Sequence, residues 1–304
     1  MSLGDLFTLQ GTLFAMILVG MFLRKRGIID ESGKKCLTDL CVNVIIPCSI
    51  VKSCLVAFDP GLLRTGGLLL AVGFALQLLC VVLNKFLYNR YGEQQKKVLQ
   101  YCTLVSNGGF LGNPVAEGVY GDMGLLYASL FLIPMRVVMW SMGTSYFVAG
   151  DTDKKKVIKN VLTHPCLVAV YIGLFLMFTQ IPLPGVVEKA VRSIGGCNSA
   201  ITMFLVGTIL AEVKLRDLVD GTALVYSVLR LGILPLIAWG VSLAVGMEPV
   251  ATGVAVLMTG MPAGATAAIL AARYNSDAPF AARCVVLSTL FSMLTIPLWC
   301  WVVG

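Results

Sequence analysis

The chain has 304 residues, of which 58% are hydrophobic and only 13% are charged. A typical soluble domain is about 45–50% apolar and about 25% charged, so this composition argues against a soluble protein and indicates an integral membrane protein. Lys and Arg number 23 against 16 Asp and Glu, an excess that in a membrane protein reflects orientation first, and we predict no nucleic-acid partner.

Apolar segments bounded by charged residues predict ten membrane-spanning helices, because about 20 apolar residues cross the hydrocarbon core of a bilayer. The segments lack the alternation of barrel strands, so the predicted fold is an all-α integral membrane bundle. The predicted spans lie near residues 6–23, 37–57, 62–83, 98–118, 124–148, 161–180, 195–211, 222–245, 249–272 and 280–303.

Cationic residues concentrate in alternate connections between these spans. Sixteen lie on one side, namely Arg24, Lys25, Arg26, Lys34, Lys35, Lys85, Arg90, Lys96, Lys97, Lys154, Lys155, Lys156, Lys159, Lys214, Arg216 and Arg273, and three on the other, namely Arg64, Lys189 and Arg192. The positive-inside rule places the richer set in the cytoplasm. Both termini are then expected outside the cytoplasm, in a plasma (inner) membrane.

The cysteines and the histidine predict no metal site and no cofactor. Most of the ten cysteines fall in or beside apolar segments, where cysteine acts as a small hydrophobe, and the single histidine, His164, leaves no Cys/His cluster with metal spacing. The N-terminus lacks the basic region and cleavage site of a signal peptide, so the first apolar segment is expected to remain as a span.

Two inverted repeats of five helices are predicted, covering residues 1–150 and 151–304. Five is an odd number, so the halves have opposite orientation. In each half the fourth span is interrupted by Gly and Pro, and the fifth carries an internal proline, Pro134 or Pro297. The residues predicted to break and cross helices 4 and 9 are Gly108, Gly109, Gly112, Pro114, Gly260, Met261, Pro262 and Gly264.

Such paired interruptions favour a transporter site at mid-membrane. Proline removes a backbone donor and glycine lets the chain leave helical geometry, so free N–H and C=O groups at half-helix ends can hold a charged ligand. The alternative is that Gly and Pro are simply common in membrane helices, for close packing and kinks.

Five residues are candidates for substrate binding: Asn107, Asn113, Arg136, Asn198 and Asn43. Asn107 lies at the first interruption and offers both a donor and an acceptor, although an asparagine there could also cap a half-helix. Arg136 lies at mid-span, where a charge is costly and usually functional. It could attract an anion, satisfy half-helix carbonyls or extend toward the membrane surface. The asparagines could instead join helices by hydrogen bonds.

Acidic residues that could couple transport to protons or sodium are scarce within the spans. Glu117 and Asp39, both near span ends, are the candidates. An intramembrane enzyme is disfavoured, because the sequence shows no HExxH motif, no GxSxG motif and no paired catalytic aspartates. A receptor that binds a ligand without transporting it is the third possibility.

Several motifs in both halves resemble those of the auxin efflux carrier family, which includes the plant PIN-FORMED proteins and bacterial malate or malonate permeases. The matching stretches are Ser106-Asn107 through Gly112-Asn113-Pro114, Val119-Tyr120-Gly121, Met261-Pro262-Ala263-Gly264, Ala272-Arg273-Tyr274-Asn275, Ser288-Thr289-Leu290 and Ile296-Pro297-Leu298, with Asn43 and Pro47 as a softer match. Asn113 departs from the aliphatic residue common before this proline. The long cytoplasmic loop of many plant members is absent, so regulation by phosphorylation of that loop is not expected.

The resemblance implies a scaffold of helices 1, 2, 6 and 7, a transport domain of helices 3–5 and 8–10, and a homodimer formed through the scaffold. It also implies an elevator motion that carries an organic anion at the crossover, where Asn107, Pro114 and Pro262 would lie. Asn198 would face the substrate from the scaffold. The sequence as a whole predicts a non-enzymatic carrier of a small organic carboxylate, working by export or potential-driven uniport. The alternative is a proton- or sodium-coupled importer of a malate- or malonate-like dicarboxylate.

Overall fold

A computed structural model describes residues 3–143, 145–147, 158–159, 162–212 and 220–303. Within these ranges the chain is helical, with one isolated antiparallel bridge between Ser106 and Ala263. The predicted all-α class is therefore confirmed. The predicted boundary between repeats at residue 150 and the cations at 154–156, 214 and 216 lie outside the described residues.

Six helical segments are long and apolar enough to cross a membrane: Glu31–Ser53, Pro60–Leu87, Gly108–Gly143, Gly185–Leu210, Gly221–Ala244 and Ala278–Val303. Two shorter apolar helices cover Pro165–Thr179 and Pro249–Thr259. The ten-helix inverted repeat remains a prediction.

The described helices of the first half are α1 (Leu3–Lys25), α2 (Glu31–Leu40), α3 (Ile46–Ser53), α4 (Pro60–Leu87), α5 (Glu93–Leu104) and α6 (Asn113–Val138). Those of the second half are α7 (Pro165–Thr179), α8 (Gly185–Gly196), α9 (Asn198–Leu210), α10 (Gly221–Val228), α11 (Leu234–Ala244), α12 (Pro249–Thr259), α13 (Thr266–Arg273) and α14 (Ala278–Val303). Segments of π-helix cover Cys41–Ile45, Gly108–Gly112, Met139–Gly143 and Leu229–Ile233.

Aspartates begin several of the helices, because a carboxylate accepts hydrogen bonds from the free N–H groups of the first turn. Asp30 accepts from Gly33 N at 2.7 Å at the start of α2. Asp220 accepts from Thr222 N and Ala223 N at the start of α10. These caps fix the points at which the chain re-enters the helical bundle.

Irregular backbone also occurs at Gly121, outside the interruptions predicted from the sequence. Gly121 has φ 66° and ψ −154° within α6, a left-handed conformation that glycine adopts without steric cost. It lies between the fourth and fifth predicted spans. Pro134 lies inside α6 and Pro297 inside α14, so both helices continue through their prolines.

Small residues allow α1 and α9 to pack against each other closely. A Cβ atom on Gly207 would overlap the carbonyl oxygen of Ile17, and one on Gly20 would overlap the carbonyl oxygen of Phe204. Close packing through small residues is the usual way that helices associate in lipid, where no hydrophobic effect drives them together.

The outward faces of the long helices are apolar. Phe86 is 71% exposed, Leu78 is 65% exposed and Leu294 is 72% exposed. Large apolar side chains exposed along spans of this length match contact with lipid rather than with water.

A group of charged residues joins three helices at the side predicted to be cytoplasmic. Arg24 at the end of α1 bonds Glu31 of α2 at 2.7 Å and lies 3.1 Å from Glu212, which follows α9. Lys34 of α2 bonds the same Glu212 at 2.8 Å. These ion pairs hold the ends of α1, α2 and α9 together.

Candidate binding site

The two interrupted helices meet at their breaks. The N–H of Asn107 donates to the carbonyl oxygen of Pro262 at 2.8 Å, and the N–H of Gly264 donates to that of Val105 at 3.0 Å. Backbone groups within a membrane protein must be satisfied by protein, water or ligand. Here each break supplies hydrogen-bond partners for the other.

Glycine permits this close approach between the breaks. A Cβ on Gly264 would lie 3.2 Å from Cγ1 of Val105, and one on Gly112 would lie 2.9 Å from Sδ of Met258. Among the described residues, the glycines with positive φ lie elsewhere in the chain, at Gly27, Gly121 and Gly246. Gly108, Gly112 and Gly264 therefore serve close packing rather than a freer backbone, whereas a Cβ on Gly109 would meet nothing within 4 Å.

The first break is shorter than the sequence suggested. Its non-helical part covers residues 105–107, after which Gly108, Gly109 and Gly112 lie in a π-helical segment. Pro114 lies at the start of α6, which follows this π-helical segment directly, so its missing N–H leaves the continuous helix one hydrogen-bond donor short. In the second break Gly260 ends α12, and Met261 and Pro262 follow as non-helical backbone.

Arg230 holds the C-terminal ends of both interrupted helices. Its Nε donates to the carbonyl oxygen of Met261 at 2.9 Å and its Nη1 donates to that of Thr103 at 3.0 Å. The side chain is 3% exposed. Because helix C-termini carry partial negative charge, a guanidinium placed between two of them is well stabilised. Arg230 was not predicted from the sequence as a site residue, and its position within the predicted span 222–245 was the available signal.

Two hydroxyl groups add to this support. Tyr226 donates from its hydroxyl to the carbonyl oxygen of Cys102 at 2.9 Å, near the end of α5. Ser288 of α14 accepts from Ala263 N at 3.1 Å and donates to the carbonyl oxygen of Cys284 at 2.6 Å. The second break is thereby joined to α14.

A cavity of about 130 Å³ lies beside the crossing. Its polar lining residues are Ser106, Asn107, Arg136, His164 and Thr266, and its apolar wall includes Val42, Ile46, Phe110, Met135 and Met139. The cavity therefore combines both helix breaks with one cationic side chain and an apolar wall.

Arg136 differs from Arg230 because its guanidinium has an unused donor. It is 5% exposed, and its Nη1 has no hydrogen-bond partner among the residues that the structure describes. Asn107 is 4% exposed and lines the same cavity. The structure thus brings together two of the five predicted substrate-binding residues.

His164 also lines the cavity. From the sequence it was discussed only as a single histidine that leaves no metal-binding cluster. It caps the start of α7, where its Nδ1 accepts a hydrogen bond from Cys166 N at 3.3 Å. Because Nδ1 accepts this hydrogen bond, the neutral imidazole carries its proton on Nε2. Proline at 165 after a candidate cap was the signal available in the sequence.

The other predicted asparagines are placed elsewhere. Asn113 and Asn198 are 0% exposed, and neither side-chain amide has a hydrogen-bond partner in the described part of the chain. Neither lines the cavity. Asn43 is exposed and donates to the carbonyl oxygen of Asp39 at 2.8 Å within its own helix.

The predicted coupling acids also lie away from the cavity lining. Glu117 accepts from Lys52 at 2.6 Å, and Asp122 lies 3.4 Å from the same Lys52 Nζ. Asp39 is exposed. The pair of Lys52 and Glu117 joins α3 to α6.

Long apolar helices, backbone-bonded helix breaks and a polar cavity beside them define the class of membrane transport proteins. The model of the family described as "Membrane transport protein" matches residues 11–300. The chain belongs to this family, which confirms the resemblance to auxin efflux carriers.

Relatives of similar length are similar to this chain over almost their whole length. An uncharacterized transporter of Methanothermobacter thermautotrophicus is 26% identical over 290 residues, covering 95% of each chain. Another, of Methanocaldococcus jannaschii, is 23% identical and covers 94% of this chain and 95% of the relative. The uncharacterized transporter YfdV of Escherichia coli is 22% identical and covers 99% of this chain and 97% of its own.

Proposed function

We propose that the protein is a secondary transporter that carries a small organic carboxylate anion across the membrane. The observation that carries this proposal is the buried guanidinium of Arg136, which lines the cavity and whose Nη1 has no hydrogen-bond partner in the described part of the chain. A buried charge without a partner is costly, and intramembrane charges usually mark a substrate path. A carboxylate supplies the missing acceptor, since arginine matches its geometry with two parallel hydrogen bonds.

Asn107 is the second proposed contact with the anion. Its side chain lines the cavity directly before the Gly108–Gly112 segment. The amide can donate to a carboxylate oxygen or to a hydroxyl group of the substrate. The apolar wall of Ile46, Phe110 and Met139 then surrounds the carbon skeleton.

The cavity volume favours a small substrate. About 130 Å³ is well above the roughly 10–15 Å³ that one water needs on a comparable measure. A carboxylate of a few carbons fits this volume.

We further propose that transport uses an elevator-type motion between a scaffold (α1–α3 and α7–α9) and a transport domain (α4–α6 and α10–α14). Residues 1–150 and 151–304 would be the two inverted repeats, and the scaffold would form a homodimer. Both termini would face away from the cytoplasm of a plasma (inner) membrane. The backbone bonds from Asn107 to Pro262 and from Gly264 to Val105 support this proposal, because they join the breaks into one unit that can move as a body.

The driving force distinguishes two versions of this function. Moving one elementary charge through 100 mV is worth about 2.3 kcal/mol, which supports an outward monoanion gradient of about 40- to 50-fold. Potential-driven export therefore needs no coupling ion. The second version is proton-coupled import, and the presence of His164 in the cavity favours it.

The experiment is uptake of radiolabelled acetate, lactate, malonate and malate by proteoliposomes, with the membrane potential and the pH gradient set independently. Wild-type protein is expected to show saturable uptake of at least one anion. Arg136→Met and Asn107→Ala are expected to lower it at least tenfold. Arg192→Gln is the matched control, because Arg192 pairs with Glu188 on the exposed face of α8. Absence of saturable uptake in wild type contradicts the proposal.

A further inference from the structure

We infer that His164 is the proton-binding residue of the cavity, and that it takes up a proton when a carboxylate binds beside Arg136. This inference rests on the proposed function and deepens it, since it names the coupled ion and the residue that carries it. It rests on the position of the imidazole within the cavity and on the charges around it.

The cavity lining contains few groups that can change their charge. Its ionisable side chains are Arg136, His164 and the thiol of Cys166. Arginine stays protonated in proteins, and Cys166 is a buried thiol. Histidine is the side chain that exchanges protons near neutral pH. His164 is also the single histidine of the whole chain.

Among the residues that the structure describes, the elements packed around the cavity add no competing acid to its lining. The α2–α3 segment contributes Val42 and Ile46, α6 contributes Met135 besides Arg136, and α13 contributes Thr266. On the chain before α7, the described cation is Lys159, which is exposed. The nearest positive charge to His164 in the described cavity lining is therefore that of Arg136. The negative charge that balances it would come from the ligand.

Binding of an anion reverses the electrostatics at His164. Arg136 and His164 line one cavity, so without a ligand the guanidinium disfavours a second positive charge on the imidazole. A carboxylate placed between the two side chains neutralises this repulsion and attracts the imidazolium. By linkage, an anion that favours the protonated form must also bind more tightly at lower pH.

The proton has a defined place on the ring. Neutral His164 holds its hydrogen on Nε2, because Nδ1 accepts the hydrogen bond from Cys166 N. The added proton goes to Nδ1, which releases that hydrogen bond, and the carboxylate then faces a cation. The bond lost is long, at 3.3 Å, and thus weak. Because α7 belongs to the proposed scaffold, His164 stays in place: Nδ1 passes the proton to the carboxylate, the neutral acid moves with the transport domain, and the cap forms again.

One proton and one monocarboxylate together carry no net charge. Transport of a monoanion by this route is therefore driven by a pH gradient and is insensitive to membrane potential. Uniport of the same anion without a proton has the opposite dependence. The two modes give opposite results in one proteoliposome assay.

The direct test is an NMR titration of the imidazole in protein labelled with ¹⁵N-histidine and purified without a histidine tag. Because the chain has a single histidine, its signals need no further assignment. In the ligand-free wild type the pKa is expected to lie below that in Arg136→Met, which lacks the neighbouring positive charge. Saturating acetate, lactate, malonate or malate, whichever the proteoliposomes take up, is expected to raise the pKa by at least two units in wild type.

The matched variant is His164→Asn, because asparagine caps a helix well but does not titrate. Its uptake is expected to stay saturable while losing its acceleration by an acid gradient. An anion that is transported without moving the pKa of His164 overturns the inference and leaves the proposed function standing. Unchanged acceleration in His164→Asn also overturns it. If none of the four anions is transported, the proposed function falls and the inference falls with it.

Discussion

Arg136 and Arg230 line two different cavities that share Ser106 and Met135. Both arginines are buried, at 5% and 3% exposure. Arg230 is hydrogen-bonded to the carbonyl oxygens of Met261 and Thr103, whereas Nη1 of Arg136 has no partner among the described residues. Two side chains of one type thus have separable roles, one in holding the helix breaks and one in meeting a ligand.

Arg230→Met is expected to destabilise the fold. Hydrogen bonds to a charged group contribute about 1.5–3 kcal/mol each, and the variant leaves two buried carbonyl oxygens without their donors. We expect a loss of about 3 kcal/mol, seen as a lower midpoint of thermal unfolding in detergent. Arg192→Gln is the control, because it removes an exposed ion pair that contributes about 0–1 kcal/mol. Equal unfolding midpoints for the two variants would contradict the role given to Arg230.

Arg136→Met, unlike Arg230→Met, is expected not to lower the stability of the ligand-free protein. Replacing an unpaired buried charge with an apolar side chain of similar length removes a desolvation cost. The unfolding midpoint without ligand should therefore stay the same or rise. Stabilisation by an added carboxylate should disappear, because binding to the native state is its source. A variant that unfolds as readily as Arg230→Met would show that Arg136 is structural.

The sequence predicted the helix breaks better than the residues around them. Gly and Pro interrupt the helical pattern at Asn107–Pro114 and Gly260–Gly264. Such interruptions can be recognised from the local sequence alone. The roles of the asparagines were harder to predict from the sequence, because the sequence does not show whether an amide within a span faces a cavity, a neighbouring helix or lipid. Asn107 lines the cavity, whereas Asn43 bonds its own helix.

His164 and Arg230 act through partners distant in the chain. Arg230 bonds Thr103, 127 positions away, and His164 shares its cavity with Asn107 and Thr266. Spacing along the sequence carries no signal for such contacts. Only the folded arrangement of the spans brings these groups together.

The ion pair between Lys52 and Glu117 provides a test of the proposed motion. It joins α3, proposed as scaffold, to α6, proposed as transport domain, at 2.6 Å. We expect that Lys52→Cys with Glu117→Cys, joined by a short thiol-reactive cross-linker, stops uptake, and that cutting the linker restores it. Exposed Cys36 and Cys197 are replaced by serine in this background.

The control is Arg24→Cys with Glu31→Cys, which replaces a 2.7 Å ion pair between α1 and α2. Both helices belong to the proposed scaffold, so the same cross-linker should leave uptake unchanged. Full uptake with α3 cross-linked to α6 would exclude relative motion between these helices.

Packing of α1 on α9 depends on Gly207. A Cβ there would overlap the carbonyl oxygen of Ile17, so Gly207→Ala must push the helices apart. We expect a loss of about 1–3 kcal/mol in unfolding free energy, as in other overpacked sites. Gly11→Ala in α1 is the matched control. Nothing lies within 4 Å of its added Cβ, and alanine should leave stability unchanged or raise it by up to about 1 kcal/mol.

The most direct measurement is calorimetric titration of the purified protein with acetate, lactate, malonate and malate, repeated on Arg136→Met and Arg192→Gln. If the cavity beside the crossed breaks holds a carboxylate, at least one of the four binds to wild type. That anion should bind at least tenfold more weakly to Arg136→Met and unchanged to Arg192→Gln. Equal affinity for wild type and Arg136→Met would contradict the account.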